Sequence, residues 1–157
     1  MMSPNLVSTE KTEAEFPAQS HAMVLIVDDD MSVRSVAERL LKRDGYQTIC
    51  VENGCDALAV LRQQPVDLLL TDLQMPEMSG QELSATARQM CPNLKVAYLT
   101  GYSNRLFEQR LTLGISETYV AKPYTAAMLR EAVSLLLYDH LSPPAMTNAG
   151  FSQPLTA

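Results

Sequence analysis

The chain has 157 residues, 46% hydrophobic and 19% charged, with a formal net charge of −6 and a pI of about 4.8. That length suits one globular domain with its own core, and the acidic balance with scattered Lys and Arg argues against a surface for nucleic acid or an anionic membrane. No apolar run approaches the roughly 18–20 residues that cross a bilayer, and Cys50, Cys55 and Cys91, without metal-ligand spacing or a secretory leader, read as free thiols in a reducing, cytoplasmic compartment.

Residues 1–21 are polar and aperiodic, which predicts a disordered arm ahead of a domain over 22–141. The first strand is predicted over 23–28. Its run Met23-Val-Leu-Ile-Val27 is continuously apolar, as in a parallel strand covered on both faces. Asp28 and Asp29 end it, and Asp30 stands where an N-cap belongs for a helix over 31–44. Val33, Val36, Ala37, Leu40 and Leu41 form that helix's apolar stripe, and Gly45 suits the left-handed residue that stops it. A strand over 47–51 and a helix over 54–64 follow. The third strand, 66–71, delivers Asp72 and turns away through Met75-Pro76 and Ser79-Gly80 into a helix over 79–90, with Cys91 and Pro92 at its end. A strand over 94–99 ends at Thr100, a helix is predicted over 103–113, and a strand over 118–121 ends at Lys122-Pro123. The last helix, 125–139, is expected to bury Met128, Leu129, Ala132, Val133, Leu136 and Leu137. Residues 142–157 carry no charge and three prolines, the composition of a second disordered tail.

Five strand–helix units with right-handed crossovers predict a doubly wound α/β fold, a five-stranded parallel sheet with helices on both faces. Ligands bind such sheets beyond the carboxyl ends of the strands, where Asp28, Asp29, Asp72, Thr100 and Lys122 fall together. Each has an ordinary explanation taken singly. The aspartates could cap a helix, Asp72 could be a turn residue, Thr100 a strand former and Lys122 a snorkelling lysine. Together they are the charge types for transferring a phosphoryl group to a carboxylate. A carboxylate attacks phosphorus only when the donor's oxygens are neutralised and aligned, which calls for Mg²⁺ on carboxylates, a lysine and a hydroxyl.

Four stretches, Val24 to Arg34, Asp67 to Gly80, Val96 to Gly101 and Tyr119 to Tyr124, resemble the receiver domain of two-component response regulators over roughly residues 22–140. The resemblance implies a flavodoxin-like sheet of strand order 2-1-3-4-5, with Asp72 as phosphoacceptor for a histidine kinase or histidine phosphotransfer protein. It implies that Asp29, Asp72 and the Gln74 main-chain carbonyl ligate Mg²⁺, with Asp28 acting mainly through water. Lys122 would pair with the phosphoryl group and precede a cis peptide. Thr100 would swing toward the phosphoryl group and Tyr119 would move inward, repacking an output face formed by the helix over 103–113, the last strand and the last helix. Gly101 would leave room around the phosphoryl group. Tyr102 either shields the acyl phosphate or simply begins the next helix, and Leu106, Phe107 and Leu111 are either core or interface.

The output implied is a protein contact with an unidentified effector or a relay histidine, with possible phosphorylation-dependent dimerisation and no enzymatic activity of its own. Three rivals stand beside this reading. Asp28-x-Asp30 resembles the opening of haloacid-dehalogenase-type phosphatases, although Met31 and the lack of a later acidic pair depart from their pattern. The chain could instead be the receiver portion of a hybrid histidine kinase, which Leu99 to Ser103 resembles, or an interaction module that binds Mg²⁺ without turnover.

Overall fold

The computed structural model describes residues 22–101 and 113–138. The arms expected at 1–21 and 142–157, Tyr102 and the helix expected over 103–113 lie outside them, save that Leu113 is described and is not helical. The elements are β1 (Met23–Val27), α1 (Met31–Arg43), β2 (Gln47–Val51), α2 (Gly54–Gln63), β3 (Leu68–Asp72), α3 (Gly80–Met90), β4 (Lys95–Thr100), β5 (Glu117–Ala121) and a last helix, here α4 (Ala126–Tyr138). All neighbouring strands pair in parallel, in the order β2-β1-β3-β4-β5. This is the expected doubly wound sheet, and β1 and β3 lie side by side at its centre. Among the described residues no helix is long and apolar enough to cross a membrane.

The continuous apolar runs feed two cores. On one face Val24, Ile26, Leu68 and Leu70 pack with Ala37 and Leu41 of α1 and with Leu129 and Val133 of α4. On the other, Leu25, Val27, Leu69 and Val96 pack with Leu58 and Leu61 of α2 and Leu83 and Ala87 of α3. Alternate side chains of one strand point to opposite faces, so a strand buried on both sides has no polar position to offer. Each buried Leu, Ile or Val stabilises the fold by roughly 1.5–3 kcal/mol, which fixes β1 and β3 firmly.

Helix ends fall close to expectation because local chemistry sets them. Asp30 accepts from the Ser32 and Val33 amides at 2.8 and 3.4 Å, and Gly45 takes φ 91° behind α1. Ser79 and Glu82 form a reciprocal capping box at α3. Two burial expectations fail. Met128 is 41% exposed and Val36 is also exposed, because each flanks the stripe that meets the sheet, Leu129, Val133 and Leu136 in α4 and Ala37 and Leu41 in α1. Leu137 is only partly buried, at the margin of the core. Strand β3 starts at Leu68 rather than Val66, since Asp67 instead turns its carboxylate to the Met23 amide at 2.7 Å. Asp72 itself closes β3.

Gly80 is the tightest point of the scaffold. It donates its N–H to the Leu73 carbonyl at 3.0 Å, and a Cβ there would overlap the Asp72 carbonyl oxygen. At Gly101 a Cβ meets nothing within 4 Å among the described residues. Gly80→Ala is therefore expected to lower stability by about 2 kcal/mol in urea denaturation, and Gly101→Ala by far less.

Candidate functional site

The carboxyl ends of β1 and β3 bring Asp28, Asp29 and Asp72 together, one ligand oxygen from each lying within 4.8 Å of the others. Asp28 is fully buried, Asp72 partly buried and Asp29 exposed. Asp30, the third acid of the run, is committed elsewhere: the Ser32 and Val33 amides of the α1 cap hold its carboxyl below the usual range. The structure thus divides three consecutive aspartates into one cap and two site residues.

Lys122, just past β5, is the cation that answers them. Its Nζ lies 3.1 Å from Asp28 Oδ2 and 3.4 Å from Asp72 Oδ2, so it is no snorkelling surface lysine. Its backbone N–H bonds the Thr100 carbonyl at 2.6 Å, and the Lys122–Pro123 peptide is cis. Thr100 is buried at the end of β4, while Tyr119 of β5 is 42% exposed and so points outward. Gln74 is tied to the site by its amide, which donates to Asp72 Oδ1 at 3.2 Å.

Sequence reasoning passed over two features. Arg34, one turn into α1, donates to the Asp28 carbonyl at 2.5 Å, locking the strand end from which Asp28 projects. Its signal was only its position six residues beyond Asp28. Asp29 also borders a cleft of about 230 Å³ with Glu52, Asn53, Pro76 and Glu77, the last at φ 69°.

Burial pushes the Asp28 carboxyl above its ordinary 3.8, and Asp72 adds to the rise, while the Asp30 amide and Lys122 oppose it. A raised folded value means that this group's stabilisation is present below its ordinary titration range. That stabilisation is lost as pH rises through the raised value, so ionised Asp28 is a liability at neutral pH. A hard divalent cation relieves it. Mg²⁺ takes oxygens at about 2.0–2.1 Å, so opposite ligands stand about 4.2 Å apart, and carboxylate oxygens already within 4.8 Å need little adjustment. The donor set fits the ion. In divalent-free buffer at neutral pH, Asp72→Asn should raise stability by on the order of 2 kcal/mol, measured by urea denaturation, and added Mg²⁺ should narrow the gap.

Comparison with known proteins identifies the family. Residues 24–134 match the response regulator receiver domain family. The chain is 31% identical over 115 residues to sporulation initiation phosphotransferase F of Bacillus subtilis, covering 73% of this chain and 92% of that protein. It is 28% identical over 136 residues to the sensor kinase CckA of Brucella abortus, covering 85% of this chain but 14% of the kinase. Among solved structures, the response regulator TrrA of Thermotoga maritima in complex with Mg²⁺-BeF superposes with a TM-score of 0.66 at 32% identity, over 74% of this chain and 99% of that one. The acids on one rim, the lysine facing them and the β2-β1-β3-β4-β5 sheet belong to one scaffold, and the chain is a member of the response regulator receiver domain family of two-component systems.

Proposed function

We propose that this chain is a phosphorylation switch that accepts a phosphoryl group on Asp72 and passes the change on as a protein contact. The observation that carries this reading is Lys122 bridging Asp28 and Asp72 at 3.1 and 3.4 Å beside the exposed Asp29. Asp29, Asp72 and the Gln74 carbonyl would hold Mg²⁺, with Asp28 acting through water. Bound there, Mg²⁺ supplies charge neutralisation and alignment of the phosphoryl oxygens.

The chain's own groups divide the remaining work. An Asp72 carboxylate oxygen attacks phosphorus in line, forming a P–O bond as the P–N bond of a donor phosphohistidine breaks, its electron pair returning to the imidazole. Lys122 meets one phosphoryl oxygen as a point charge, exchanging carboxylate partners for the incoming group. The Thr100 hydroxyl, at the end of the neighbouring strand, hydrogen-bonds another. As Thr100 turns toward the phosphoryl group, Tyr119 moves from its exposed position into the space released, repacking the β4–β5 side of the sheet.

The donor is a sensor histidine kinase or a histidine phosphotransfer protein. The phosphotransferase in the name of the Bacillus relative supports a place in a relay, and the Mg²⁺-BeF complex of the Thermotoga relative supports the metal and phosphoryl pocket. A second reading, a receiver belonging to a hybrid kinase, is favoured by the match to CckA. The chemistry at Asp72 is the same in both.

Intact mass after incubation with acetyl phosphate tests the proposal. The wild-type chain should gain one phosphoryl group in Mg²⁺ and none in EDTA, and Asp72→Asn should gain none. Labelling that survives in Asp72→Asn would move the acceptor elsewhere. A folded wild type that binds Mg²⁺ yet takes no label from acetyl phosphate or a phosphorylated kinase would favour an interaction module without turnover.

A further inference from the structure

Strand β5 is the least anchored strand that the site depends on. Among the described residues it is an edge strand paired with β4, and Val120 is its one buried side chain, whereas β1 buries Val24, Leu25, Ile26 and Val27. Yet Lys122 follows it directly and must reach Asp28 and Asp72. A parallel strand rises about 3.3 Å per residue, so a slip of one residue would carry Lys122 out of ion-pair range and reverse the faces of β5. One buried valine is a weak restraint against such a slip.

A polar chain at the start of β5 supplies the missing restraint. The Glu117 side chain is 11% exposed and pairs with Arg88 Nη1 of α3 at 2.9 Å. Its Oε1 accepts from the Tyr98 hydroxyl of β4 at 3.0 Å, and its Oε2 accepts the Gly114 N–H at 2.8 Å. Tyr98 Oη lies 2.6 Å from Ser84 Oγ of α3. Burial pushes the Tyr98 phenol up to about 12, so it keeps its proton at neutral pH. The Tyr98 hydroxyl donates to Glu117, so a continuous polar chain runs through Ser84, Tyr98 and Glu117, with Arg88 closing it. Arg88 also reaches the Ser116 carbonyl at 3.4 Å, and Val96 N–H bonds the same carbonyl at 2.9 Å.

We propose that Glu117, gripped by Tyr98, Arg88 and the Gly114 amide, is a positioning residue that sets the register of β5 and so places Lys122 against Asp28 and Asp72. Its last step rests on the phosphoacceptor reading; the register step does not. Helix α3 is a sound anchor for the grip, because Gly80 at its start is wedged on the Asp72 backbone. The acids and the lysine are thus referred to one rigid body, directly through β3 and indirectly through α3 and Glu117.

Tyr98→Phe removes one hydroxyl and keeps the ring in the core, and Glu117→Gln keeps the shape and removes the charge. In both variants of the full chain, amide exchange at Gly114 and at residues 117–122 should quicken about tenfold, while β1 and β3 amides keep their rates. Mg²⁺ affinity by calorimetry should not fall, since the acids sit at the ends of β1 and β3 and a displaced Lys122 removes a cation that opposes the metal. Acetyl-phosphate labelling at saturating Mg²⁺ should slow about tenfold, as misplacement of a charge at a reacting centre predicts. That split separates positioning from general loosening, which would move exchange in every strand and Mg²⁺ affinity as well. Unchanged β5 exchange in both variants, or Mg²⁺ affinity falling in step with labelling, would overturn the proposal. A wild type that takes no label removes the phosphoacceptor reading instead, and the exchange pattern then decides on register alone.

Discussion

Carboxylate repulsion on one rim of the sheet is the constraint from which the rest of the structure follows. Asp28 is fully buried, Asp72 partly so, and Asp29 completes a set of oxygens within 4.8 Å. Ionised groups that close are tolerated only where opposite charge lies in contact and the scaffold resists their separation. Lys122 meets the first need in part, as one cation shared between Asp28 and Asp72 at 3.1 and 3.4 Å. The buried central strands meet the second. The residual negative charge that strains this arrangement is the feature a divalent cation would neutralise.

The scaffold resists because the acids project from the strands with the largest apolar anchorage. β1 and β3 are neighbours and bury side chains on both faces, and Arg34 and the Asp30 amide tie Asp28 from the α1 side. At the other acid, Gly80 lets α3 press against the Asp72 backbone closely enough that no side chain fits between. A charged cluster of this kind needs backbone precision more than it needs extra bonds, and the glycine supplies that precision by having no Cβ.

Much of this was legible in the sequence because it is written in local chemistry. Continuous apolar runs ending in Asp28, Asp72, Thr100 and Lys122 announced parallel strands and a shared rim, and Asp30 and Gly45 announced the ends of α1. What escaped depends on contacts between distant elements. Helical periodicity places Met128 and Val36 near an apolar stripe, but only the angle at which a helix meets the sheet decides which margin is covered. Tyr98, Ser84, Arg88 and Glu117 lie on three different elements and share no spacing that a single sequence displays. Glu117 lies just outside the strand predicted over 118–121, and its near burial is a tertiary fact. The Gly80 contact with Asp72 was hidden for the same reason: its spacing marked a turn, not a collision.

The distribution of anchorage also decides where the molecule can respond. β1 and β3 are held by apolar burial on both faces, and moving them would expose several Leu, Ile and Val side chains at roughly 1.5–3 kcal/mol each. β5 has one such side chain, a place at the end of the described sheet and a polar chain at its start. Hydrogen bonds exchange partners at a much smaller net difference, about 0.5–1.5 kcal/mol apiece. A restraint of the second kind thus yields at a smaller cost than one of the first. The more yielding part of the described sheet is therefore β5, where Tyr119 is exposed. Asp28, Asp29 and Asp72 stand at the ends of the strands that resist movement, and Lys122 follows the strand that yields more readily.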